Sequence, residues 1–129
     1  MLEQSRIDFY EENGYLMIED ALAPDQLAAL REVTLDFMEK SRTVTESDEL
    51  YDLDEGHSGE SIKLTRIKLP HTRHPVYRDV LRSERVTSML KSVLGPDIRL
   101  HTSKLNTKAP GGGAAVEWHQ DWAFYPHTN

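Results

Sequence analysis

Residues 62–69, Ile-Lys-Leu-Thr-Arg-Ile-Lys-Leu, constrain the fold more than any other stretch. Apolar and polar residues alternate as in a half-buried strand, yet the phase slips midway. Ile62 and Leu64 share a face with Arg66 and Lys68, while Ile67 and Leu69 share the other with Lys63 and Thr65. Two structures carry that pattern. Either a bulge adds a residue and leaves Arg66 in solvent, or Arg66 points into a partly buried space beside Ile62 and Leu64. An inward arginine needs an anionic partner. In both cases the strand has an apolar side that other elements must cover.

The covering elements are helices. Residues 5–13 suit a short helix with Ser5 as its cap and Gly14 as its left-handed stop. Tyr15-Leu16-Met17-Ile18 reads as a short apolar strand. A long helix starts at Pro24, whose missing N–H costs nothing in the first turn. Leu27, Leu30, Thr34, Phe37 and Met38 fall on one face of it. Residues 43–61 lose periodicity, hold seven acids and no Lys or Arg, and read as a solvent-facing loop with His57 as a surface histidine. Pro70 ends the strand, and His71 and His74, between prolines, are expected in a surface loop. Pro75–Arg82 is a short helix. Ser83 caps the next one, where Val86, Met89, Leu90, Val93 and Leu94 form a helical stripe expected in the core; Gly95-Pro96 ends it. Residues 98–107 form another strand, with His101, Ser103 and Leu105 on one face. The stretch 109–114 is a glycine-rich link without the spacing of a phosphate-binding loop. Val116–Asp121 is expected to be the last strand. The order predicts an α+β domain, an antiparallel sheet flanked by N-terminal helices.

Charge is unevenly placed. Residues 1–61 carry 17 acids and 4 bases, net −13, whereas residues 62–129 carry 5 acids and 11 bases, net +6. An acidic half against a basic half suits a site for an anionic small molecule, but a solvated acidic surface plus ordinary scatter is the plainer reading. The bases form no run and the total is −7, so nucleic acid is not an expected partner. No apolar run approaches the roughly 20 residues of a membrane span. The chain has no cysteine, which excludes disulfides and thiolate metal sites. The start lacks the pattern of a secretory signal, so the cytoplasm is the expected location.

Chemistry concentrates near Trp118-His119-Gln120-Asp121-Trp122-Ala123-Phe124-Tyr125-Pro126. On an extended segment His119 and Asp121 leave the same face. An imidazole and a carboxylate so placed are two of the three ligands of a 2-His-1-carboxylate Fe(II) site. The spacing alone is a weak signal. Asp121 merely orienting His119, or both residues on a surface edge, are the plainer readings. The surrounding Trp118, Trp122, Phe124 and Tyr125 are candidates for the walls of a substrate pocket.

The segments His101–Gly113 and Glu117–Pro126, with Phe9–Ile18 and Leu22–Leu27, resemble the phytanoyl-CoA dioxygenase family, and the likeness covers essentially the whole chain. That family's members are Fe(II)- and 2-oxoglutarate-dependent oxygenases on a double-stranded β-helix (jelly-roll, cupin-like) core. The resemblance implies that His119 and Asp121 hold iron, that Arg66 lies inward and contacts 2-oxoglutarate, and that Ser103 approaches the same co-substrate. It implies a dioxygenase, using O2, that hydroxylates a small organic or acyl substrate. It also implies a distal histidine and a carboxylate-gripping arginine on strands after Asn129. The expectation is therefore a single incomplete domain over 1–129, helical and acidic to residue 61, with the first core strands and His-x-Asp in 62–129. Such a fragment is expected to be inactive by itself. A non-catalytic scaffold of the same fold, or a cupin-like metalloenzyme not using 2-oxoglutarate, are the alternatives. Substrate identity and oligomeric state are not set by the sequence.

Overall fold

The computed structural model describes residues 1–108 and 115–121. In chain order the elements are α1 (Gln4–Asn13), α2 (Pro24–Lys40), β1 (Tyr51–Leu53), β2 (Leu64–Lys68), α3 (Pro70–Arg73), α4 (Pro75–Arg82), α5 (Glu84–Leu94) and β3 (Lys104–Asn106). The strands form one antiparallel sheet in the order β1-β2-β3. Helices with a small antiparallel sheet bear out the α+β expectation at that level.

The phase slip in 62–69 is a bulge. Tyr51 pairs with Ile67 and Asp52 with Arg66, but Leu53 pairs with Leu64, so Thr65 is the extra residue. Direct cross-strand partners share a face. Tyr51, Ile67 and Leu105 therefore stand on one side, and Asp52, Arg66 and Asn106 on the other. The bulge brings Leu64 to the side of Ile67 although they are three apart. Leu64 and Ile67 are buried, at 3% and 0% exposure. The inward placement of Arg66 beside Leu64 is thus corrected: Arg66 lies on the opposite, charged face and is half-exposed.

The core sits between that apolar face and the helices. Phe37, Tyr51, Leu64, Ile67 and Tyr77 make its buried cluster. The Phe37 and Tyr77 rings stack with centroids 6.2 Å apart. Each buried phenol has a partner. Tyr51 donates to the Phe37 carbonyl at 2.8 Å, and the Tyr77 hydroxyl meets Thr34 Oγ1 at 2.5 Å. Burial pushes both phenol pKa values up, since it disfavours the phenolate.

Several elements differ from expectation. α1 starts at Gln4 with Glu3, not Ser5, at its cap position; Gly14 does end it, at φ 76°. Residues 15–18 form no strand, and Tyr15 and Met17 are exposed, because no neighbouring strand meets them among the described residues. The 43–61 segment is not wholly solvent-facing: it contains β1 and the buried Tyr51. His57 is not a plain surface residue. Its Nε2 lies 3.0 Å from the Ser41 carbonyl and its Nδ1 accepts from Lys63 N–H at 3.0 Å. His71 sits in the single turn α3, where Pro70 takes the first helical position; Leu69, at φ 50°, makes the sharp entry. His74 caps α4, accepting from Val76 N–H. The α5 stripe is not core. None of its residues is buried, and Leu90 and Leu94 are exposed, since α5 packs chiefly on α4 and α1, away from the sheet. The strand expected over 98–107 is confined to β3, and residues 116–121 form no strand, having no pairing partner among the described residues. No helix among the described residues is long and apolar enough to cross a membrane.

Candidate functional site

The charged face of the sheet is built by register. Arg66 and Lys68 stand two apart on β2, and their β3 partners Asn106 and Lys104 face the same way. Asp52 on β1 holds both cations, with Lys68 Nζ at 2.8 Å and Arg66 Nη1 at 3.4 Å. Arg66 Nε also donates to Asn106 Oδ1 at 3.3 Å. The turn before β1 supports this face. Asp48 accepts from the backbone N–H of Leu50 and of Tyr51, each at 2.7 Å. Those bonds, that of Tyr51 foremost, lower the Asp48 pKa, and the positive charges of Lys68 and Arg73 lower it further.

Above this face lies a cleft of about 440 Å³, lined by Glu49, Arg66, Lys68, Leu69, Arg73, Thr102, Ser103 and Lys104. Arg66 and Ser103, the two candidate co-substrate residues, thus line one cavity. Ser103 is fixed there twice. Its carbonyl accepts from Leu69 N–H at 3.0 Å, and its Oγ lies 2.5 Å from His71 Nδ1. His71 was not a candidate in the sequence; only the fold brings α3 beside the residue preceding β3. A second, apolar cavity of about 650 Å³ lies between α2, α4 and β3, and Ser103 borders it as well.

His119 and Asp121 lie on the segment 115–121 and are exposed. They are in contact without a strand: His119 Nε2 is 3.2 Å from Asp121 Oδ1. His119 Nδ1 lies 2.6 Å from the Glu117 carbonyl. A carbonyl only accepts, so Nδ1 carries the proton. Nε2 and the carboxylate then share either a proton or a metal ion. Ligand bonds of about 2.1 Å at right angles set donor atoms roughly 3.0 Å apart, so the pair fits a first-row divalent ion. A carbonyl on the far nitrogen is the usual means of orienting a metal-bound imidazole. Among the described residues, no cluster of three or more His, Cys, Asp or Glu forms a metal site. Trp118 is fully exposed and lines neither of these two cavities. Trp122, Phe124, Tyr125 and the glycine link 109–114 lie outside the described residues.

The profile of the family described as Phytanoyl-CoA dioxygenase (PhyH) matches residues 10–129. The chain belongs to the phytanoyl-CoA dioxygenase family. The chain is 40% identical over 121 residues to a "Probable alpha-ketoglutarate-dependent hypophosphite dioxygenase" of Stutzerimonas stutzeri, covering 93% of this chain and 42% of the relative. It is 26% identical over 113 residues to an "Ectoine dioxygenase" of Streptomyces anulatus, covering 88% of this chain and 36% of that protein. An ectoine dioxygenase of Stutzerimonas stutzeri (strain A1501) is 27% identical over 116 residues, or 90% of this chain and 36% of its own length. The chain therefore spans less than half the length of these relatives.

Proposed function

We propose that this chain is the N-terminal part of an Fe(II)- and 2-oxoglutarate-dependent dioxygenase acting on a small substrate. The observation that carries the reading is the His119–Asp121 pair. Its donor atoms are 3.2 Å apart and its imidazole is oriented by the Glu117 carbonyl. His119 and Asp121 would hold the iron. Arg66, fixed by Asp52 and Asn106, would pair with a carboxylate of 2-oxoglutarate, and Ser103 Oγ, positioned by His71, would bond the same molecule. When bound, the iron would activate O2, with 2-oxoglutarate as the two-electron reductant: one oxygen atom would go to 2-oxoglutarate, which leaves as succinate and CO2, and the other to the substrate. We assign the distal histidine and the carboxylate-gripping arginine to the portion of the relatives' length that this chain does not span. On this reading the chain by itself binds iron but does not turn over. The names of the hypophosphite and ectoine dioxygenases it resembles support a small polar or anionic substrate over a fatty acyl one.

Anaerobic titration of Fe(II) into the 129-residue chain and into His119→Ala and Asp121→Ala tests this. Each substitution removes one of the available ligands and is expected to weaken Fe(II) binding at least about tenfold. Unchanged affinity in His119→Ala would overturn the assignment.

A further inference from the structure

We propose that the cleft on the charged sheet face is a seat for a small oxyanion, separate from the position of 2-oxoglutarate at Arg66. Four cationic side chains, Arg66, Lys68, Arg73 and Lys104, line it against one carboxylate, Glu49. The hydroxyls of Thr102 and Ser103 complete the lining. The volume of about 440 Å³ is that of a small-molecule site.

The carboxylate that fixes two of these cations stands beside them on the same face. Asp52 grips Lys68 and Arg66 from β1, and Asp48 has its Oδ1 occupied by two backbone N–H groups. Cations held in place in advance bind an anion at lower entropic cost. Arg73 is held differently. Its only carboxylate contact in the described structure is Glu49, at 3.5 Å, and the Glu49 side chain is 93% exposed. So exposed a pair is weak, and an anion with better geometry displaces it. Arg66 and Lys68 emerge roughly 7 Å apart along β2, which gives the cleft two ends. The Arg66 end belongs to the co-substrate in the reading above. The Lys68–Arg73 end takes the second anion.

A carboxylate and a phosphorus oxyanion share the chemistry that this end recognises. As a substrate group its role rests on the dioxygenase reading; as an anion seat it rests on the cleft alone. The test is calorimetric titration of inorganic phosphate, and separately of acetate, into the iron-free 129-residue chain, with and without saturating 2-oxoglutarate. Phosphate or acetate should bind in both conditions, and the tighter of the two names the ligand class. Arg73→Gln should weaken that binding at least about tenfold. Glu49→Gln, which removes the competing carboxylate, should tighten it about threefold. Circular dichroism on each variant confirms that the fold is kept. No binding of either anion, unchanged affinity in Arg73→Gln, or complete displacement by 2-oxoglutarate would overturn the proposal. His119→Ala should leave anion affinity unchanged. If it does so while Fe(II) affinity is also retained, the iron assignment fails and the anion seat stands.

Discussion

Removing the His57 ring should loosen the acidic loop without unfolding the domain. The ring joins two segments: Nε2–H donates to the Ser41 carbonyl at the end of α2, and Nδ1 accepts from Lys63 N–H just before β2, both at 3.0 Å. Ser41 is fully buried, and its carbonyl also accepts from Val44 N–H at 2.9 Å, so it keeps one partner when the ring is removed. Two hydrogen bonds are worth about 0.5–1.5 kcal/mol each, and the half-buried ring lets water repair part of the loss. His57→Ala should therefore cost about 1–2 kcal/mol. Other bonds keep the loop's outline, among them Asp54 N–H to the Lys63 carbonyl at 2.9 Å and Arg42 to the Gly59 carbonyl at 2.7 Å. The change should be local. With a urea dependence of roughly 1–3 kcal/mol per M, the unfolding midpoint should fall by about 0.3–2 M. The Lys63 amide should exchange about tenfold faster, while the Ile67 amide changes only with global stability. A stability change below about 0.5 kcal/mol with an unaltered Lys63 amide would refute the clamp and restore the plain surface histidine.

Ile67→Ala empties the centre of the sheet's buried face, where Ile67 is 0% exposed, and should cost about 3 kcal/mol, against about 1 for Ile67→Val, both read from urea unfolding. The lowered Asp48 pKa gives stability that is present above the ordinary carboxylate value and is lost as pH falls through the lower, folded one. Wild type should therefore lose stability relative to Asp48→Asn below about pH 4, with the gap constant from pH 5 to 7; parallel pH curves for the two proteins would contradict that origin.

The helices were legible because their signals are local. Pro24, Ser83 and Gly95 mark their own boundaries, and α4 spans the expected Pro75–Arg82. The slip in 62–69 left a bulge and an inward Arg66 both open; the choice depended on Tyr51 and Leu105, from far along the chain. β1 was missed because three residues inside an acidic loop carry no period. The α5 stripe was read as core because periodicity reports an apolar face and not what covers it. For the site, Arg66 and Ser103 are named by the resemblance, yet their common cleft, the places of Lys68 and Arg73 in it and the contact of His71 with Ser103 follow from long-range packing that no local pattern reports. The His119–Asp121 spacing was visible, but the contact forms in an irregular segment and not on the expected strand.

The extra residue at Thr65 bears on which genetic changes this domain tolerates. Single substitutions alter one face of β2 and leave the other alone. Loss of one codon there acts differently, because it re-phases the strand. If Ile67 keeps its place, Leu64 swings out of the core; if Leu64 keeps its place, Arg66 and Lys68 trade sides with Ile67. Length variation, usually harmless in loops, would here strike folding and anion recognition together. A five-residue strand can thus be recoded one face at a time but not resized.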